Sequence, residues 1–139
     1  MDKTEISSIN FLAENGDYQV YAIYENVFLK DKSKDNLLSR FSPGDLLITD
    51  HYGDPTGAII FPNSNYIIVS GCGLSIYNTE RQHDNRIMDE PNKIVWTNGL
   101  YQDELDDANL EFRFTAYNKS NKLRVFKMNV ETLEMNELN

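Results

Sequence analysis

Cys72 stands between Gly71 and Gly73, with His51 before it in the chain and His83 after it. A nucleophilic thiol needs a lowered pKa, a base within reach and some exposure. Flanking glycines would let a substrate approach the sulfur, and an imidazole is the right type of base. The motifs that surround the nucleophile in known cysteine-enzyme families are absent, however. Glycines inside a strand more often mark a bulge or bend, so a small buried cysteine at a bulge is the favoured reading. Asp50-His51-Tyr52-Gly53-Asp54 groups carboxylates and an imidazole in one turn. Adding His83, Asp84, Asp89 and Glu90 supplies enough donors for a metal ion by count. The two histidines lie far apart in sequence, and neither the zinc spacings nor the calcium-loop pattern occurs. No metal and no cofactor are expected. With 22 carboxylates in the chain, acid pairs arise by chance, and no phosphate loop or nucleophile elbow accompanies them. The expectation is a protein that is not an enzyme. A small thiol- or metal-dependent enzyme built on His51, Asp54, Cys72 and His83 is the alternative, and it requires those four side chains to meet in one pocket.

Charge is the stronger signal. The chain carries 22 Asp and Glu against 13 Lys and Arg, a formal net charge of −9. Nucleic acids and anionic membranes both need a basic footprint, so neither is an expected partner. A basic protein surface is. Between Glu80 and Arg113 nine acids face four bases, which places over half of the net charge in a quarter of the chain. Asp103, Glu104, Asp106 and Asp107 form its densest run, Asp84, Asp89 and Glu90 precede it, and Trp96 and Tyr101 are interleaved. Carboxylates raise the association rate with a basic partner, and aromatic anchors hold the complex. These nine residues are the expected partner-binding set.

The elements that must position them read as β-structure. A length of 139 residues suits one domain spanning 1–139. Asn15-Gly16 between Ile9–Ala13 and Tyr18–Tyr24 is a hairpin signal, with a short helix over Thr4–Ala13 as the competing reading. Apolar residues on both faces of Tyr18–Tyr24 suggest a strand covered on both sides. Ser33–Phe41 is compatible with one or two helical turns, and Ser42-Pro43-Gly44-Asp45 with a type II turn. Gly44–Tyr77 then reads as one compact antiparallel meander, with strands at Leu46–Ile48, Ala58–Phe61, Tyr66–Val69 and Leu74–Tyr77. Asn78–Asn92 reads as a long polar loop. A strand is expected at Ile94–Thr97, and Leu110–Tyr117 shows the clearest alternation, Leu110, Phe112, Phe114 and Ala116 to one side. Leu123–Met128 and Leu133–Leu138 complete the set.

A faint repeat links Leu74-Ser75-Ile76-Tyr77 before Thr79-Glu80 with Leu123-Arg124-Val125-Phe126 before Glu131-Thr132, and more weakly with Tyr21-Ala22-Ile23-Tyr24. These pieces resemble the outer strands of β-propeller blades. The expected fold is mainly β: a single antiparallel domain, a sandwich or curled meander sheet, with a propeller-like arrangement as a minor alternative and at most one or two short helices. One cysteine permits no intrachain disulfide, and the N-terminus has neither a secretory signal nor, with the rest of the chain, a membrane-span pattern. A cytoplasmic location is expected.

A small, acidic, β-rich chain without a catalytic signature resembles the bacterial immunity proteins that neutralise a contact-delivered toxin, commonly a basic nuclease domain. The resemblance is one of character over the whole chain, carried by Asp103-Glu104-Leu105-Asp106-Asp107, by Asp84, Asp89 and Glu90, and by Trp96 and Tyr101. It implies occlusion of the toxin's active site by carboxylates that stand where phosphates would lie. An adaptor subunit of a larger assembly is the further alternative, and a self-complementary apolar patch would be its mark.

Overall fold

The computed structural model describes residues 9–34, 38, 40–87, 96–101, 105, 108, 110–117 and 120–138. They form twelve strands in three four-stranded antiparallel sheets, and none of them is helical. The first sheet holds β1 (Ile9–Glu14), β2 (Tyr18–Ile23), β3 (Asn26–Asp31) and β4 (Leu46–Asp50). The second holds β5 (Gly57–Ile60), β6 (Tyr66–Gly71), β7 (Gly73–Asn78) and β8 (His83–Ile87). The third holds β9 (Thr97–Leu100), β10 (Glu111–Tyr117), β11 (Leu123–Asn129) and β12 (Met135–Leu138). In every sheet the strands neighbour one another in chain order. Each is thus an up-and-down meander of the kind that makes a propeller blade, and no closed barrel forms among the described residues.

The three sheets stack face to face, and the second lies in the middle. Its side chains alternate, as the pleat requires. Ile59, Ile68, Leu74 and Ile76 pack against Phe112, Phe114, Ala116, Phe126 and Met128 of the third sheet. Ile60, Ile67, Val69 and Tyr77 pack against Val20, Ala22, Val27, Leu29 and Ile48 of the first. Register explains the division: Ile59 pairs with Ile68 and Ile68 with Ile76, whereas Ile60 pairs with Ile67 and Ile67 with Tyr77. Each side chain so buried contributes about 1.5–3 kcal/mol of transfer free energy. The continuous apolar runs of the middle strands reflect a sheet that is dry on both faces.

Several expectations need correction. Leu46–Ile48 does not share a sheet with the three runs that follow it. β4 pairs with β3, and Asp50–Thr56 carries the chain over to the next sheet. Asn78–Asn92 is not a long loop as far as Ile87, because His83–Ile87 is the edge strand β8 on β7; residues 88–92 lie outside the described set. Polar residues suit an edge strand whose outer rim faces water. The Ser42–Asp45 turn is closed by Asp45 N–H to Ser42 O at 2.9 Å, yet Gly44 lacks the positive φ of a type II turn. Of the alternative Thr4–Ala13 helix, residues 9–13 belong to strand β1, and residues 4–8 lie outside the described set. Of the Ser33–Phe41 helical turns, residues 35–37 and 39 are outside the described residues, and Lys32–Lys34 is a turn. Of the strand expected at Ile94–Thr97, residues 94 and 95 lie outside the described set, Trp96 makes an isolated bridge to Cys72, and Thr97 opens β9.

β2 is indeed covered on both sides. Its outer face meets the connection between β3 and β4, where Phe11, Tyr21, Phe28 and Phe41 form a chain of ring contacts. Lys30, 0 % exposed, sits among them. Its ammonium donates to Ser42 Oγ at 2.9 Å and pairs with Asp45 Oδ2 at 3.0 Å, and Tyr21 O–H donates to the same carboxylate.

The repeat has a structural basis. β7 and β11 are both third strands of their meanders, and each ends in an asparagine that caps the next turn. Asn78 Oδ1 accepts from Glu80 and Arg81 N–H, and Asn129 Oδ1 accepts from Glu131 and Thr132 N–H. Such Asx turns mimic a backbone turn. The first sheet has the same device at Asp31, which ends β3 and accepts from Ser33 N–H. The fainter echo at Tyr21–Tyr24 falls on a second strand and is out of step.

Candidate functional site

The meanders give the molecule two ends. One carries the turns β2–β3, β6–β7 and the crossings between sheets; the other carries the Asx turns. At the first end the Gly71-Cys72-Gly73 step is gripped from both neighbouring sheets. From the third sheet, fully buried Thr97 accepts from Gly71 N–H at 2.9 Å and donates to Gly73 O at 2.7 Å. From the first sheet, His51 Nδ1 lies 3.1 Å from Cys72 O. A carbonyl only accepts, so Nδ1 carries the hydrogen and Nε2 presents a lone pair. Glycine at 71 suits this closeness: a Cβ there would sit 3.1 Å from His51 Nδ1 and 3.2 Å from the Pro55 backbone, and one of them would have to give way. Cys72 is buried, as expected of a thiol at a bend.

His51 is 3 % exposed, and its Nε2 has no hydrogen-bond partner. Burial holds its pKa below the ordinary histidine value. The Cys72 carbonyl opposes that effect, Arg86 adds to it, and Asp84 and Asp50 oppose it. The ring is therefore neutral near pH 7. His51 forms part of the wall of a surface cavity of about 420 Å³, together with Ile23, Tyr24, Glu25, Asn26, Asp50 and Tyr52. Tyr24 and Glu25 are the two-residue tip of the β2–β3 hairpin, with Tyr24 at φ 54°. His51 N–H donates to Glu25 O at 3.0 Å, which ties the tip to the end of β4. Glu25 Oε2 accepts from Gly53 N–H at 2.6 Å. Gly53, at φ 78°, lies under the Trp96 ring, whose Cη2 would be 3.2 Å from a Cβ at that position. Asp50 accepts from Arg86 of β8 at 2.7 Å.

The outcome is an aromatic and acidic rim. Tyr52 is 81 % exposed, Tyr24 61 % and Trp96 48 %. Large aromatic rings left in water at a hairpin tip and a crossing loop contribute little to a core. Glu25 and Asp50 stand among them, Asp54 is exposed next to Gly53, and Asp50 pairs with Arg86.

The sequence-derived partner set is divided by the fold. Trp96 belongs to this rim. Asp84 sits on the face of β8 toward the first sheet, half-buried, where its carboxylate accepts from the Ser75 hydroxyl. Tyr101 follows β9 at the opposite end, its N–H donating to Arg113 O. Asp89 and Glu90 lie outside the described residues. Asp103, Glu104, Asp106 and Asp107 are also outside them. Tyr24 and Glu25 escaped the sequence reading; an aromatic at a tight hairpin tip, where nothing can bury it, was the available signal.

The four residues of the enzyme alternative do not converge. His51 touches the Cys72 carbonyl, and Asp54 is exposed. His83 pairs with Asn78, six residues along β7 from Cys72, so the two lie about 20 Å apart along the strands. It lines a separate cavity with Tyr66, Arg81 and Glu131, its Nε2 3.1 Å from Asn85 Oδ1. Among the described residues no group of three or more His, Cys, Asp or Glu side chains is arranged to hold a metal ion, and no helix is long and apolar enough to cross a membrane. No protein-family model matches the chain, and no curated protein matches it.

Proposed function

We propose that the protein is a non-enzymatic binding protein for a basic protein partner. The observation that carries this reading is the rim of the His51 end, where Tyr24, Tyr52 and Trp96 are exposed among Glu25, Asp50 and Asp54. Exposed aromatics are the usual hot spots of protein interfaces, and the surrounding carboxylates select for a basic surface and speed the encounter. The net charge of −9 acts in the same direction over longer range.

The partner class we propose is a toxin domain, commonly a basic nuclease, which the protein masks in the cytoplasm as a bacterial immunity protein does. Supporting it are the acidity and an aromatic and acidic rim carried by an antiparallel β scaffold. The interface would bury about 1,200–2,000 Å² in total. The test is co-expression with the product of the adjacent reading frame, scored by growth and by co-purification, and the proposal requires that product to carry a basic toxin domain. Growth rescue and a stable complex are expected, with Tyr52→Ala and Trp96→Ala each weakening affinity about 30-fold or more. Reversing the charges of Asp103, Glu104, Asp106 and Asp107 should slow association and flatten its salt dependence. No rescue and no complex would overturn the proposal.

A further inference from the structure

We infer that Asn98-Gly99 is a self-modification site, where the Gly99 nitrogen closes on the Asn98 side chain to form a succinimide that opens to aspartate and isoaspartate. The site is independent of the partner reading. Two Asn-Gly steps occur in the chain, Asn15-Gly16 and Asn98-Gly99. Their local chemistry is alike, since a glycine without Cβ leaves the attacking nitrogen unhindered. The fold treats them in opposite ways.

Asn98 and Gly99 are exposed on β9. Asn98 pairs with Thr115 and Leu100 with Phe114, so Gly99 is the extra residue of a β-bulge. Its N–H donates to Asn98 Oδ1 at 2.9 Å. A carbonyl bond of about 1.23 Å separates that oxygen from Cγ, so Cγ lies within roughly 4 Å of the Gly99 nitrogen. Rotation about Cβ–Cγ presents the carbon to the nitrogen, close to a near-attack geometry. The Thr115 hydroxyl donates to the Asn98 main-chain carbonyl and holds the backbone on which the ring would close. Gly99 stands at φ 64°, and a Cβ there would sit 2.7 Å from Thr115 Oγ1, so the bulge favours glycine at the attacking position. At Asn15 the side-chain amide is already occupied. Its Oδ1 accepts from Asp17 N–H at 2.9 Å and Tyr18 N–H at 2.8 Å, and its Nδ2 donates to Ser64 Oγ at 2.8 Å. Those bonds tie it to its own hairpin and to the β5–β6 turn, and they keep Cγ from swinging onto the Gly16 nitrogen.

The reaction needs only water and hydroxide. Hydroxide takes the Gly99 N–H proton, and the nitrogen lone pair forms a bond to Asn98 Cγ. The Cγ–Nδ2 bond breaks, and Nδ2 takes a proton from water and leaves as ammonia. Water then opens the ring. Attack at the side-chain carbonyl gives aspartate; attack at the main-chain carbonyl gives isoaspartate, with the chain routed through Cβ and Cγ. Either product adds a negative charge. Isoaspartate also inserts a methylene into the main chain beside Thr97, whose hydroxyl grips Gly71 and Gly73, and two residues from Trp96 with its bridge to Cys72. That insertion loosens the junction beneath the aromatic rim.

The experiment ages the whole protein at neutral and at mildly alkaline pH. Peptide mass mapping follows the exchange of ammonia for water at each Asn-Gly step, and enzymatic methylation detects isoaspartate. In the folded protein Asn98 should convert at least about tenfold faster than Asn15, and faster still at the higher pH, where more of the Gly99 amide is ionised. In urea the two steps should convert at similar rates, because only local sequence then acts. Ser64→Ala, which removes a partner of Asn15, should speed conversion at Asn15 and leave Asn98 unchanged. Asn98 as slow as Asn15 in the folded protein, or a gap no wider there than in urea, would overturn the site. The isoaspartyl form should also exchange its Gly71 amide hydrogen faster than fresh protein, whereas Asn98→Asp, with the charge but without the added methylene, should not. Equal exchange in the isoaspartyl and Asn98→Asp proteins would overturn the link to the junction.

Discussion

A buried imidazole with one nitrogen bonded and the other bare is costly to charge. His51 has Cys72 O on Nδ1, Arg86 and Asp84 nearby, and Asp50 next to it in the chain. In the unfolded chain the ring titrates near about 6.5; in the folded protein burial holds it lower. Between those two values the unfolded chain binds a proton that the folded protein refuses. The stability His51 contributes is therefore whole above about pH 6.5 and is lost as pH falls through the window beneath it. Moving from about pH 7.5 to about pH 5 should lower the urea midpoint of the natural protein more than that of His51→Gln, which keeps a donor for Cys72 O. Identical losses in the two proteins would show that another group carries the effect. At this scale the chain was half legible. Cys72 as a buried bend residue could be read from its glycines, but the bond that makes His51 part of the same junction joins residues 21 apart. No spacing rule reaches across two sheets.

Among the elements, the outer face of the first sheet depends most on one network. Lys30 alternates into a layer that the turn before β4 then seals, so its charge is enclosed with Asp45, Ser42 and Tyr21. Removing one partner of a buried pair strands the other charge, which costs far more than the pair itself contributes. Asp45→Ala should lose about 3–5 kcal/mol in chemical denaturation, and Lys30→Met combined with Asp45→Leu should recover most of it. A small loss in the single variant would mean that water reaches Lys30. Strand positions were mostly readable, because apolar alternation and Asn-rich turns are local properties. β8 was not, since an edge strand can be wholly polar when its neighbour supplies the pairing. Nothing local in the sequence marks Lys30 as internal either; only the layer folded over it buries it.

The whole molecule depends on a middle sheet shared by two cores. Ile67 and Ile68 are neighbours in β6, both 0 % exposed, and they point into different cores. Ile67→Ala and Ile68→Ala should each lower global stability by about 2–5 kcal/mol, in one cooperative transition, and amide exchange should be slowest in β6 and β7. Two separable transitions would show that the layers fold independently. Gly44–Tyr77, read from its apolar runs as a single meander, supplies that middle layer from Gly57 onward, while β4 completes the first sheet. Composition, alternation and turn chemistry determined the all-antiparallel class, most strand positions and the acidic character, because each is written in residues a few places apart. Which meander packs on which, which carboxylates share an end with Trp96, and that Tyr24, Tyr52 and His51 border one cavity were decided by tertiary structure. Those relations depend on how three sheets stack, and stacking is set by the summed fit of two faces of side chains drawn from across the chain.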